Sequence, residues 1–149
     1  MNTRGFTRLE FAIVLLIAGM LCAMAVPHFT RVKKGVTAAV IVGDFNVVAE
    51  SAMMAYAVSQ SLPPTDRWGR VPPTLRRYLP NGFSFKHAGV EYRWRRWGLP
   101  SGLPTRPDQK ELLGLEVRTK DAQLLLAVMG VYQGRVAHVT ATQITMVIL

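Results

Sequence analysis

The stretch GFTRLEFAIVLLIAGMLCAMAVPHF, residues 5–29, combines a single acidic residue with a nearly uninterrupted apolar run. From Phe11 to Thr30 there is no Asp, Glu, Lys or Arg. At about 1.5 Å per helical residue, this run could cross the roughly 30 Å of hydrocarbon in a bilayer. Glu10 stands directly before it. Because a charge at the centre of a membrane helix costs about 2.5–3.5 kcal/mol on insertion scales, we expect Glu10 to serve a function.

This stretch resembles the N-terminus of the type IV pilin superfamily, which includes pilins, minor pilins and the pseudopilins of type II secretion. That family has a short basic leader ending in glycine, then Phe-Thr, a glutamate, and an apolar helix broken by a proline. Here Gly5 would be the last leader residue and Phe6 the first mature residue. Glu10, Gly19 and Pro27 also stand at the family's spacing.

The resemblance implies assembly rather than catalysis. A prepilin peptidase would cut between Gly5 and Phe6 and methylate the new amino group of Phe6. The helix would wait in the bacterial inner membrane with its head in the periplasm, until an inner-membrane assembly platform extracts it into a filament with other pilins or pseudopilins, in the periplasm or at the cell surface. Within the filament, Glu10 would neutralise the Phe6 ammonium of an adjacent subunit, and the helix would loosen between Gly19 and Pro27.

An ordinary secretory signal peptide is the alternative interpretation of the same residues. Arg4 and Arg8 could form its basic region, residues 11–21 its apolar region, and the Ala-Met-Ala of residues 23–25 its cleavage site. Cleavage after Ala25 would release a small secreted basic domain. A helical pattern continues well past residue 30, however, as expected if the apolar segment is the first half of one long helix.

Four segments are expected: a leader at 1–5, a transmembrane and filament-core half-helix at 6–30, an amphipathic half-helix at 31–60, and a globular α+β head at 61–149. In the second half-helix, apolar residues at spacings of three and four predict one buried face. These residues are Ala38, Val42, Phe45, Ala49, Ala52 and Tyr56. Pro27 has no N–H to bond the Ala23 carbonyl, which predicts a kink. The Leu-Pro-Pro of residues 62–64 is expected to end the helix.

The head is expected to contain a small antiparallel sheet and a short second helix. Strands are predicted at Phe83–Lys86, Val90–Trp97 and Leu113–Thr119, a helix at Asp121–Val131 with a cap near Gly134, and a terminal strand or hairpin at Arg135–Leu149 with a bend at residues 140–142. Alternation places Val90, Tyr92 and Trp94 on the face that packs on the long helix. The fold class is therefore α+β, in the arrangement of the pilin fold.

A basic cluster occupies the first half of the head. The whole chain has a net charge of +9, and the segment from Arg67 to Arg96 holds eight cations and one acid, a net charge of +7. Arginines alternate with aromatic residues in YRWRRW, residues 92–97, as on nucleic-acid-binding surfaces. Arg93, Arg95, Arg96 and Trp97 are therefore candidate DNA contacts, which would suit a minor pilin that takes up DNA.

The competing interpretation of this cluster is structural. Tyr92 and Trp94 share the face expected to be buried, so Trp94 would belong to the core. The arginines would then form a solvated strand face, with some of them paired to acids of neighbouring subunits. We favour this interpretation because it leaves Trp97 as the single aromatic residue among the arginines.

No catalytic chemistry is indicated. The three histidines are scattered, with His138 expected to be structural, and the single cysteine, Cys22, lies in the apolar run. Neither a metal-binding motif nor a phosphate-binding or dinucleotide-binding glycine motif occurs in the sequence. We therefore expect no enzyme activity, metal or cofactor. Many major pilins close their C-terminal region with a disulfide, so a single cysteine favours a pseudopilin or minor pilin.

Overall fold

One long helix and a five-stranded antiparallel sheet form the architecture. The computed structural model describes residues 7–87, 89–98, 111–132, 134 and 136–148. The elements are α1 (Arg8–Ser59), β1 (Lys86–His87), β2 (Val90–Gly98), β3 (Glu111–Thr119), α2 (Ala122–Val131), β4 (Val136–Val139) and β5 (Gln143–Val147). The strand order is β1-β2-β3-β5-β4. This is the predicted α+β pilin-like fold, with a short second helix.

Helix α1 runs for 52 residues without interruption. It begins with a capping box formed by Thr7 and Glu10, and it ends where Gln60 adopts a left-handed conformation (φ 51°). The end therefore precedes the Leu-Pro-Pro sequence, as expected. The helix continues through Pro27, and the hydroxyl of Thr30 donates to the Pro27 carbonyl at 2.9 Å. The kink at Pro27 stays a prediction.

The buried face of α1 differs from the predicted one. The buried residues are Ala38, Ile41, Phe45, Val48, Ser51, Ala52 and Ala55. Val42 and Ala49 are only partly buried, and Tyr56 is 44% exposed, so the inclusion of Tyr56 in the face was wrong. The physical reason is that Ile41, Val48 and Ala55 form an apolar series one residue before the series of Val42, Ala49 and Tyr56. Both series satisfy helical spacing, and packing against the sheet and α2 selects between them.

Strand β2 is the centre of the head. It pairs with β3 in antiparallel register, with Trp94 opposite Leu115. Val90, Tyr92 and Trp94 are at most 1% exposed, so their predicted burial is confirmed. Their polar atoms are also satisfied, because the Trp94 indole N–H donates to the Pro63 carbonyl at 2.9 Å and the Tyr92 hydroxyl donates to Asp44 Oδ2 at 2.8 Å. These contacts join β2 to α1 and to the irregular segment between α1 and β1.

The strand preceding β2 is shorter than predicted. Residues Phe83 to Phe85 are outside the sheet, and β1 contains only Lys86 and His87. Phe85 is buried, and its carbonyl accepts one bond from the Tyr92 N–H at 2.8 Å. Alternation of Phe83 and Phe85 therefore reflects packing against the core rather than a paired strand. Gly89 follows with φ 77°, a left-handed conformation that suits glycine in the turn.

Helix α2 packs against α1. Its N-cap is Asp121, whose Oδ1 accepts from the Gln123 N–H at 3.0 Å. Lys34 of α1 contacts the same end, with Nζ 3.0 Å from Asp121 Oδ2. At the other end Tyr132 stacks edge-on against Phe45, with ring centroids 5.1 Å apart.

The predicted cap at Gly134 was wrong. Tyr132 is the C-cap in an extended conformation, and its N–H donates to the Val128 carbonyl at 2.8 Å. Beyond it, β4 and β5 form the terminal hairpin around residues 140–142, as predicted. His138 lies on β4 and is exposed. Arg135 and Leu149, the predicted limits of this hairpin, lie outside the described residues.

Candidate functional site

The N-terminal half of α1 presents a continuous apolar surface. Residues 7–33 are all exposed, including Leu9 at 72%, Leu21 at 63% and Phe29 at 70%. Within the described residues, α1 is the one helix long and apolar enough to cross a membrane, with a mean hydropathy of 2.5 over its best window and none of that window buried. Because water contact with apolar surface costs about 25 cal/mol per Å², this half requires lipid or protein around it.

Glu10 lies at the start of that surface, in the first turn of α1. One carboxylate oxygen, Oε2, accepts from the Thr7 main-chain N–H at 2.8 Å and from the Thr7 hydroxyl at 2.9 Å. In return the Glu10 N–H donates to Thr7 Oγ1 at 3.2 Å. The other oxygen, Oε1, accepts no bond from a described residue. The carboxylate is thus oriented by the cap through one of its two oxygens.

The other residues that the resemblance singled out lie along the same exposed half-helix or outside it. A Cβ at Gly19 would meet no described atom within 4 Å, so contacts within this chain do not require glycine there. Pro27 lies within α1, in the exposed half, eight residues further on. Gly5 and Phe6, the expected processing site, lie outside the described residues. The structure therefore places Glu10, Gly19 and Pro27 on one apolar segment.

The arginines of β2 engage acids within the chain. Arg93 Nε donates to Glu116 Oε2 at 2.5 Å, and Arg95 Nη1 donates to Glu116 Oε1 at 3.0 Å. Glu116, on β3, is 2% exposed. Arg96 Nε lies 3.5 Å from Glu111 Oε1. The three candidate DNA-contacting arginines are thus ion-paired within the chain.

Trp97, the fourth candidate DNA contact, covers a neighbouring glycine. A Cβ at Gly114 would lie 2.8 Å from the Trp97 ring, because that ring rests against the glycine of the adjacent strand. The Arg95 guanidinium lies 5.5 Å from the centroid of the same ring. Trp97 therefore has a packing role on the sheet.

Sequence reasoning missed two residues that organise this outer face, Trp68 and Glu116. The Trp68 ring contacts two guanidinium groups in cation–π geometry, with its centroid 4.5 Å from Arg93 Cζ and 4.4 Å from Arg118 Cζ. Trp68 belongs to an irregular segment, where no periodicity signals a contact. Glu116 did carry a signal, since a carboxylate between two apolar strand residues, Leu115 and Val117, calls for a cationic partner.

Described residues offer no metal site. No group of three or more His, Cys, Asp or Glu side chains among them could hold an ion. Asp44 is an acid of α1 that contacts the sheet, since it accepts from the Tyr92 hydroxyl and lies 3.4 Å from His87 Nε2. Burial, together with that bond to Asp44, raises the pKa of Tyr92 far above its usual range. This group joins α1 to the sheet and has a structural role.

The comparisons with known proteins identify one relative. No family model matches the sequence, and no solved structure matches the chain. The chain is 34% identical over 90 residues to a protein named type II secretion system core protein G from Klebsiella michiganensis. That match covers 55% of this chain and 63% of the relative's length, less than two thirds of it. The chain is therefore a partial homologue of a type II secretion system core protein G, and its sequence and fold fit the type IV pilin-like superfamily.

Proposed function

We propose that this chain is a pseudopilin, a structural subunit that polymerises through the N-terminal half of α1 into a filament of a type II secretion system. The observation that carries the proposal is the continuity of α1. Its first half is apolar and fully exposed, while its second half packs on the sheet in the same unbroken helix. A helix of this kind can transfer its exposed half from lipid to other subunits without unfolding the head. The relative's name supports the secretion machine in particular.

The proposed processing and location of the chain follow the four segments expected from its sequence. Residues 1–5 are a leader that a prepilin peptidase removes, and Phe6 becomes the methylated N-terminus. Residues 6–30 span the inner membrane before assembly, and residues 31–60 together with the head at 61–149 lie in the periplasm. The partners are the peptidase, the inner-membrane assembly platform and other pseudopilins. A minor type IV pilin would use the same segments in a pilus.

In the proposed filament, Glu10 sets the axial register between neighbouring subunits. An ammonium group inside an apolar filament core is strongly disfavoured unless a charge partner neutralises it. Glu10 Oε1 is the oxygen that accepts no bond from a described residue, so it can take the Phe6 ammonium of an adjacent subunit. Because only one axial stagger pairs both charges, this contact fixes the position of each subunit along the filament.

The test separates the charge of Glu10 from its role in the helix cap. Glu10→Val and Glu10→Gln should both leave cleavage intact and abolish or weaken filament incorporation. Thr7→Ala is the matched control, since it removes the cap and keeps the charge, and it should assemble. Cleavage is read from intact mass, and incorporation from sedimentation of sheared filaments. Normal assembly of Glu10→Val would refute the proposed contact.

The N-terminus of the mature protein decides between this proposal and simple secretion. Intact mass and N-terminal sequencing of the chain recovered from host membranes should show a methylated Phe6 at the start. A chain beginning at Val26 would mean that a signal peptidase had cut after Ala25. In that case the protein would be a small secreted basic domain, and the filament proposal would be discarded.

A further inference from the structure

The cations of the basic cluster divide into two sets. Five of the eight have an acidic partner among the described residues: Arg70, Lys86, Arg93, Arg95 and Arg96. Three form no salt bridge with a described acid: Arg67, Arg76 and Arg77. All three are exposed and belong to the irregular segment between α1 and β1. Uncompensated charge is therefore concentrated there rather than on β2.

Two arginines of this segment line an open groove of about 350 Å³. Arg70 and Arg76 contribute its charge, while Val71, Pro73 and Phe83 contribute apolar lining. Arg70 is only loosely held, since its Nε is 3.8 Å from Asp66 Oδ2 and its side chain is 64% exposed. The groove is thus a mainly polar surface with two accessible guanidinium groups and a smaller apolar part, which suits a ligand with both carboxylate and apolar side chains.

The groove also adjoins the edge of the sheet. Strand β1 is an edge strand, and Ser84 and Phe85 of the groove wall lead directly into it. Within the described residues, the Ser84 main-chain N–H donates to no acceptor, while the N–H and carbonyl of Lys86 both bond to the Ser84 hydroxyl. The Ser84 N–H beside the sheet edge is therefore available to an extended segment of another chain.

We propose that this groove binds an extended acidic segment of another protein. Its carboxylates pair with Arg70 and Arg76, its apolar side chains contact Val71 and Phe83, and its main chain lies beside the edge leading into β1. Duplex DNA fits less well, because its phosphates make no favourable contact with the apolar side chains of Val71 and Phe83. The inference is independent of filament assembly.

The test uses the full chain in dodecyl maltoside micelles and the fluorescein-labelled peptide acetyl-EVDLEV-amide. Fluorescence anisotropy should show binding, and the uncharged peptide acetyl-QVNLQV-amide should bind at least about tenfold more weakly. The double variant Arg70→Gln, Arg76→Gln should weaken the acidic peptide by about tenfold, since each exposed pair contributes a modest amount. The matched control Arg67→Gln, Arg77→Gln removes the same net charge outside the groove lining and should change affinity less than about twofold.

Three outcomes would overturn the proposal. Equal weakening by both double variants would mean that net charge alone attracts the peptide. Equal binding of the acidic and uncharged peptides would remove the role of the guanidinium groups. A 20-base-pair duplex that binds more tightly than the peptide and is weakened by the groove variant would make this a nucleic-acid site. Both double variants are first checked for an unchanged circular dichroism spectrum and melting temperature. Because binding is measured on unassembled protein, a failure of filament assembly would not affect the result.

Discussion

Replacing Glu116 by glutamine should destabilise the head more than any other conservative change on the outer face of the sheet. Glu116 is 2% exposed and accepts bonds from Arg93 Nε at 2.5 Å and Arg95 Nη1 at 3.0 Å. The substitution keeps the size of the side chain and removes its charge. Two guanidinium groups then face one buried neutral amide.

The expected magnitude follows from burial. Removing one partner of a fully buried ion pair costs about 3–5 kcal/mol. Here Arg93 and Arg95 keep 24% and 40% of their side-chain surface exposed and can regain hydration, and glutamine can still accept one bond. We therefore expect the free energy of unfolding to fall by about 2 kcal/mol. For a head of this size, that corresponds to a melting temperature lower by about 10 °C.

The assay is thermal unfolding of the full chain in detergent, followed by tryptophan fluorescence. Glu91→Gln is the matched control, because Glu91 lies on the same face of the sheet and pairs with Arg118 and Lys86 but is more exposed. Its loss of stability should be clearly smaller. If Glu116→Gln lowers the melting temperature no more than Glu91→Gln does, burial of the Glu116 pair does not contribute in the way argued above.

Three further perturbations test other contacts. Gly114→Ala should lower the free energy of unfolding by about 1–3 kcal/mol, because its Cβ would lie 2.6 Å from the Met146 carbonyl oxygen. Gly98→Ala places its Cβ in open space, so its melting temperature should be close to that of the unmodified chain. Burial raises the pKa of Tyr92, so above about pH 10 this tyrosine ionises in the unfolded chain before it does in the folded one. The free energy of unfolding should therefore fall by up to about 1.4 kcal/mol per pH unit above about pH 10. Phenolate absorbance should report this ionisation as the chain unfolds. Lys34 holds the pKa of Asp121 below its usual range, so that stabilisation is present above about pH 4 and is lost on acidification. Lys34→Gln should therefore lower stability at neutral pH and flatten its decline between about pH 4 and 2 in a circular dichroism titration.

Some of the fold could be predicted because it is encoded locally. The charge-free run that begins at Phe11 can only be a helix that avoids water, whatever its partners are. Strand β2 is equally local, since alternation of Tyr92 and Trp94 with Arg93 and Arg95 defines a buried and an exposed face. Strand β2 was predicted at Val90–Trp97 and is observed at Val90–Gly98, and α1 ends at Ser59, one residue before the predicted limit at residue 60.

The partners of the β2 arginines could not be predicted in this way. Whether Arg93 meets Glu116 depends on the register of β2 against β3, and residues 99–110 between the two strands carry no pattern that fixes it. A shift by one residue would turn Glu116 towards the core and leave both arginines unpaired. The same limitation applies to Trp68, whose position follows from where the irregular segment crosses the sheet.

The basic cluster shows how tertiary structure changes the meaning of charge. In the sequence, YRWRRW is the segment that most strongly suggests DNA binding. In the fold, however, each of its arginines has an acidic partner. Residues 66–77 look like a plain linker, but they hold four arginines and one acid, a net charge of +3. Partners are attracted by charge that is exposed and uncompensated, not by charge that is merely abundant. An anionic partner should therefore be sought first at the groove lined by Arg76 and the weakly paired Arg70, beside the sheet edge, and only second on β2.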